Sequence, residues 1–115
     1  VLVLSILALV ILSMAISPIF EDKLDATMPA SFEEANAVIQ ARCVQCHSAN
    51  PTDDQWPNAP NGVMYDTPQQ IQAMADKIMT RAVRTHSMPL GNKTNMTEEE
   101  RTVLKRWILQ GAKTP

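Results

Sequence analysis

The first twenty residues, Val1 to Phe20, carry no charged side chain and consist mostly of Leu, Ile, Val, Ala and Met. At 1.5 Å per residue, about 20 such residues cross the roughly 30 Å of hydrocarbon in a bilayer. Segment 1–20 is therefore read as one transmembrane helix, either an anchor or the last span of a longer protein. A cleaved signal peptide is the competing reading, because Ser13-Met14-Ala15 loosely resembles a small-residue cleavage site. No basic stretch precedes the apolar run, which favours retention. Residue 1 is not Met, so the expectation is the tail of something longer. The first charges, Glu21, Asp22, Lys23 and Asp25, are mainly acidic. Cytoplasmic flanks favour Lys and Arg, so this flank places the rest of the chain on the non-cytoplasmic side.

Residues 21–31 read as a linker and 32–115 as one small domain. A domain of this size is marginal on its own core, and a large rigid cofactor to pack around helps it fold. Aromatic residues are scarce (Phe20, Phe32, Trp56, Tyr65 and Trp107), and seven Met residues serve as pliable packing material in their place. The net charge of −2 argues against nucleic acid as a partner. Charge is unevenly spread, from −6 over 21–66 to +4 over 67–115. Such an asymmetry orients a redox partner or is ordinary solvated surface.

Three helices are expected after the span, each opened by a capping box. These are Ser31-Phe32-Glu33-Glu34, Thr67-Pro68-Gln69-Gln70 and Thr97-Glu98-Glu99-Glu100. The spacing predicts helices over about 32–42, 68–85 and 98–110, with Pro68 at a first helical position and Gly111 ending the last. Apolar stripes run through Phe32, Ala35 and Ile39, through Ile71, Met74, Ile78 and Ala82, and through Val103, Leu104, Trp107 and Ile108. No stretch alternates as a strand does, so the fold class is all-α. The segment from Ser48 to Asp66 holds Pro51, Pro57, Pro60 and Gly62 and reads as a loop. A loop that long in a compact domain has to wrap something.

Cys43-Val44-Gln45-Cys46-His47 is the C-x-x-C-H signature of covalent c-type haem attachment. Two thiols at this spacing add to the two vinyl groups of one porphyrin, and the next residue brings an imidazole under the iron. A thioredoxin-type redox pair needs a βαβ frame that this pattern lacks. A structural zinc site needs four ligands, and beyond Cys43, Cys46 and His47 only His86 remains. A disulfide across two residues leaves His47 unexplained.

Electron-carrying haems commonly pair His with Met, whose thioether favours ferrous iron. Five Met residues follow the motif: Met64, Met74, Met79, Met88 and Met96. Met74 and Met79 fall in the second helix as core, and Met64 lies too near His47. Met88 and Met96 share the loop between the last two helices, and Met88, followed by the stiffening Pro89, is preferred. His86 is a third candidate. The second ring nitrogen of His47 needs a partner to fix its tautomer, and the carbonyl of Pro60 is expected there. Trp107 is expected to pack between the first and third helices and the haem.

The stretch from Phe32 to Ala112 resembles the C-terminal cytochrome c domain of the bacterial membrane-bound urate oxidase (urate hydroxylase) family. The matching residues are Ala41-Arg42-Cys43-Val44-Gln45-Cys46-His47-Ser48, Pro51-Thr52, Ala59-Pro60-Asn61-Gly62-Val63-Met64 and Asp66-Thr67-Pro68. Further on they are Met88-Pro89-Leu90-Gly91-Asn92, Thr94, Met96-Thr97, Glu100-Arg101, Trp107-Ile108 and Gly111-Ala112. The resemblance implies a class I cytochrome c fold, Met88 as sixth ligand, and a domain on the periplasmic face of a bacterial inner membrane. In that family the urate-oxidising chemistry belongs to a multi-helix membrane domain preceding the cytochrome.

The sequence thus points to a membrane-tethered monohaem cytochrome c of a respiratory chain. It is expected to pass single electrons between redox partners such as a membrane oxidoreductase, a terminal oxidase or a soluble cytochrome. With the iron held by His47 and Met88, no position is open for catalysis, and the domain is not expected to be an enzyme. An electron-accepting domain of a fused membrane oxidoreductase is the alternative. A gas sensor or peroxidase with five-coordinate haem is a third reading.

Overall fold

A computed structural model describes residues 1–115, and the chain is all-helical, without strands. Helix α1 spans Leu2–Asp25, α2 Phe32–Arg42, α3 Pro68–Ala73, α4 Ala75–Ile78 and α5 Glu98–Leu109. Helix α1 is 24 residues long, has a mean hydropathy of 2.6 over its most apolar window and buries no residue. It is long and apolar enough to cross a membrane, a property that a signal sequence near an N-terminus shares.

Helix α1 does not stop at the end of the apolar run but carries Glu21 to Asp25 as further helical turns. These charged turns dock on α5. Asp25 pairs with Arg106 at 2.9 Å and with Lys105 at 2.9 Å, while Asp22 pairs with Lys105 at 3.0 Å and with Arg84 at 2.7 Å. Gln110 donates to the carbonyls of Asp25 and Met28. The connection between α1 and α2 is thus Ala26 to Ser31, and residues 21–25 of the expected linker are helical.

All three capping boxes form, with the hydroxyl of Ser31, Thr67 or Thr97 accepting the backbone N–H three residues on. Helices α2 and α5 pack Ala35, Val38 and Ile39 against Leu104 and Trp107, and the Phe32 and Trp107 rings meet at 5.9 Å. Arg42, in the last turn of α2, forks onto the Glu100 carboxylate in the first turn of α5 through two bonds of 3.0 Å. That pair compensates both helix dipoles at once. Gly111, at φ 105°, takes the backbone out of α5.

The single helix expected over 68–85 is broken. Met74 leaves helical geometry at φ −104°, ψ 9°, and after α4 the chain widens into a π-type segment over Met79–Arg84. The Thr85 amide bonds to the Thr80 carbonyl five residues back at 3.0 Å, and the Thr85 hydroxyl joins it at 2.8 Å. A π register skips one carbonyl. Here the freed carbonyl is that of Arg81, which accepts the Met88 amide at 2.9 Å. The break in the helix is therefore what ties the following loop down.

Candidate functional site

A cavity of about 230 Å³ lies between α2, the α3–α4 region and the two long loops. Its walls include Cys43, Cys46, His47, Pro60, Met74 and Met88. Cys43 caps α2, its amide bonding to the Ile39 carbonyl at 2.8 Å. Its own carbonyl then accepts the amides of Cys46 at 3.2 Å and of His47 at 2.9 Å. This tight turn gathers both sulfurs and the imidazole onto one wall. The three donors of the Cys43–His47 motif and the distant Met88 thus share one concave surface.

Both cysteines are free thiols. Burial pushes the Cys43 thiol up to about 12, and burial together with Asp53 also raises Cys46. Thiols so shifted stay protonated at neutral pH and lack the low pKa of a redox dithiol. No cluster of three or more His, Cys, Asp or Glu side chains is placed to hold a metal ion, so the residues do not form a zinc cage.

His47 Nδ1 lies 3.0 Å from the Val63 carbonyl. The expected partner was the Pro60 carbonyl, and the structure corrects it. Pro60 opens a short 3₁₀ turn, Pro60–Gly62, in which its carbonyl accepts the Val63 amide at 3.0 Å. That bond uses the Pro60 oxygen and presents the Val63 oxygen to the ring instead. Pro60 lines the cavity and holds His47 at one remove. The imidazole also leans on the Tyr65 ring at 5.2 Å, and the Tyr65 amide bonds to the His47 carbonyl at 2.9 Å.

Met88 borders the cavity, whereas Met96 does not. Met96 is 4% exposed in the core, and its amide and carbonyl are both held by the Asn92 side chain. His86 stands away from the cavity, half exposed and 3.7 Å from Glu98. Met74, assigned to the core from its helical spacing, also lines the cavity, with Ile78 and Ala82 from the same stripe. The stripe serves core and cavity together. Trp107, expected against the cofactor, lines no part of the cavity: it is 2% exposed and donates its indole N–H to the Lys113 carbonyl at 2.9 Å.

Several lining residues carried no sequence signal of their own. Tyr65 is buried, which raises its phenol to about 12 and keeps it neutral. Lys77 and Arg81 bring positive charge to an otherwise largely apolar cavity. Lys93, also on the wall, bridges Asp53 at 2.8 Å and Asp54 at 2.7 Å, joining the loop after Met88 to the loop after His47.

The donor set fits a covalently held haem. It offers two thiols two residues apart, an imidazole with one nitrogen committed to a carbonyl, and a thioether, around space with apolar walls and cationic groups at hand for carboxylates. No family model matches the chain, no curated protein matches it, and no solved structure matches it.

Proposed function

We propose that this chain is a membrane-anchored c-type cytochrome of class I fold that carries single electrons on one covalently bound haem. The observation that carries the reading is the convergence of Cys43, Cys46, His47 and Met88 on one cavity, with His47 Nδ1 already engaged by Val63. When bound, the haem supplies a one-electron ferric/ferrous couple. Cys43 and Cys46 would tether it as thioethers, each S–H adding across one vinyl C=C bond. Because His47 Nδ1 donates to the Val63 carbonyl, Nε2 is left as the lone pair for the iron and the ring is fixed in orientation. Met88 supplies the thioether that favours the ferrous state. Tyr65, Ile78 and Ala82 exclude water, and Lys77 and Arg81 offset the negative charge of the porphyrin carboxylates.

With His47 and Met88 both holding the group, no position would be left open for a substrate, and the domain would be an electron carrier and not itself an enzyme. Helix α1 anchors it in a bacterial inner membrane with the cavity domain on the periplasmic side. Its partners are redox proteins: a membrane oxidoreductase, a terminal oxidase or a soluble cytochrome. A second reading makes it the electron-accepting domain of a longer membrane oxidoreductase such as urate oxidase. The residue blocks that resemble that family's cytochrome domain support this second reading, and the apolar side chains exposed all round α1 are compatible with either.

The test is expression with haem-ligation machinery, followed by the alkaline-pyridine spectrum of the reduced protein. A two-thioether haemochrome is expected, lost in Cys43→Ser/Cys46→Ser. A colourless wild-type chain contradicts the reading.

A further inference from the structure

Arg101, on the first turns of α5, is 5% exposed. Its Nη1 donates to the Met88 carbonyl at 2.9 Å and to the Ala82 carbonyl. Its Nε has no hydrogen-bond partner, and the only carboxylate paired with it, Glu98, stands 3.7 Å away with its side chain 75% exposed. A buried cation so poorly compensated costs more than a Leu or Met of similar volume at the same place. Packing therefore does not account for it. What the guanidinium does, and an apolar side chain cannot, is hold two carbonyls from separate segments with the two N–H groups of its planar Nη1.

Both carbonyls belong to cavity-lining residues. Met88 is thereby pinned on both sides, its amide by the Arg81 carbonyl at 2.9 Å and its carbonyl by Arg101. The π register frees the first of these acceptors, and Arg101 supplies the second hold from behind the wall, itself outside the cavity. Between Ala82 and Met88 lies a turn that includes His86 at φ 55°.

We infer that Arg101 is a positioning residue for Met88, holding the thioether against displacement. The inference rests on the haem reading above. It is tested on the full-length chain with Arg101→Met and Arg101→Lys, using exogenous imidazole as the competitor for the sixth position of ferric haem. Arg101→Met is expected to bind imidazole at least tenfold more tightly than wild type. Arg101→Lys, whose ammonium ends one bond short of the Nη1 position and lacks its planar pair of N–H groups, is expected at threefold or more. Leu104→Ala, one turn on in the core, lowers the melting temperature and leaves imidazole affinity unchanged, so general loosening is separated from loss of the hold. If Arg101→Met does not fold, Arg101→Lys decides alone. Wild-type imidazole affinity in the folded Arg101 variants overturns the inference. If the wild-type chain takes up no haem, the haem reading fails instead. Hydrogen exchange at the Met88 amide then decides: at least tenfold faster in Arg101→Lys supports the positioning role, and an unchanged rate overturns it.

Discussion

Replacing Gly62 by Ala isolates the conformational cost of the turn that presents Val63 to His47. Gly62 sits at φ +69°, and a Cβ built there meets no atom within 4 Å. The cost is therefore not steric contact with the rest of the protein. Left-handed backbone costs an L-residue about 1–2 kcal/mol. Against this, Ala restricts the unfolded chain and returns about 0.4–1 kcal/mol. The net is a destabilisation of about 1 kcal/mol, which in a domain of this size lowers the melting temperature by about 4–8 °C. Asn tolerates this region better than Ala, so Gly62→Asn is expected to recover part of the loss. Thermal unfolding followed by circular dichroism measures both. An unchanged melting temperature, or a fall of about 20 °C or more, refutes the reasoning, because the first denies the left-handed turn and the second demands a clash.

The methionines separate by variant: Met88→Ala is expected to abolish the Met–iron charge-transfer band, whereas Met74→Ala and Met96→Ala keep it. Met96→Ala, in the closed core, is expected to cost about 2–5 kcal/mol in chemical denaturation without touching the band. The Lys93–Asp53 bridge holds Asp53 below the ordinary carboxylate value through the Lys93 hydrogen bond, and raises Lys93 in return. A depressed folded pKa means that the contribution is complete above the unfolded value of about 3.9 and fades as pH falls through the lower folded value. Trp56 fluorescence is thus expected to report loosening of the cavity mouth only at acid pH, and Asp53→Asn, which cannot ionise, to show the loosened signal already at neutral pH. An identical acid limb in the variant contradicts this assignment.

Much of the frame was legible because its signals are local. Capping boxes specify their helix starts within four residues, and Gly111 specifies an end. C-x-x-C-H concentrates three donors in five positions. What sequence reasoning missed depends on register or on distant partners. The π widening over Met79–Arg84 hinges on where the amide of Thr85 bonds, which no apolar periodicity reports. The choice of Val63 over Pro60 follows from a 3₁₀ turn that consumes the nearer carbonyl. Trp107 reads as a cofactor contact from its place on the stripe, yet its indole turns to the backbone carbonyl of Lys113. The docking of Asp22 and Asp25 on α5 joins residues some 80 apart, and a run of charges beside an apolar segment looks the same with or without it.

Mass spectrometry of the tryptic peptide spanning Cys43 to His47 tests the central claim most directly. One haem added to a single peptide, with both cysteines resistant to alkylation, is the result the account predicts. Two free, alkylatable cysteines in protein matured alongside a functioning haem-ligation system would contradict it.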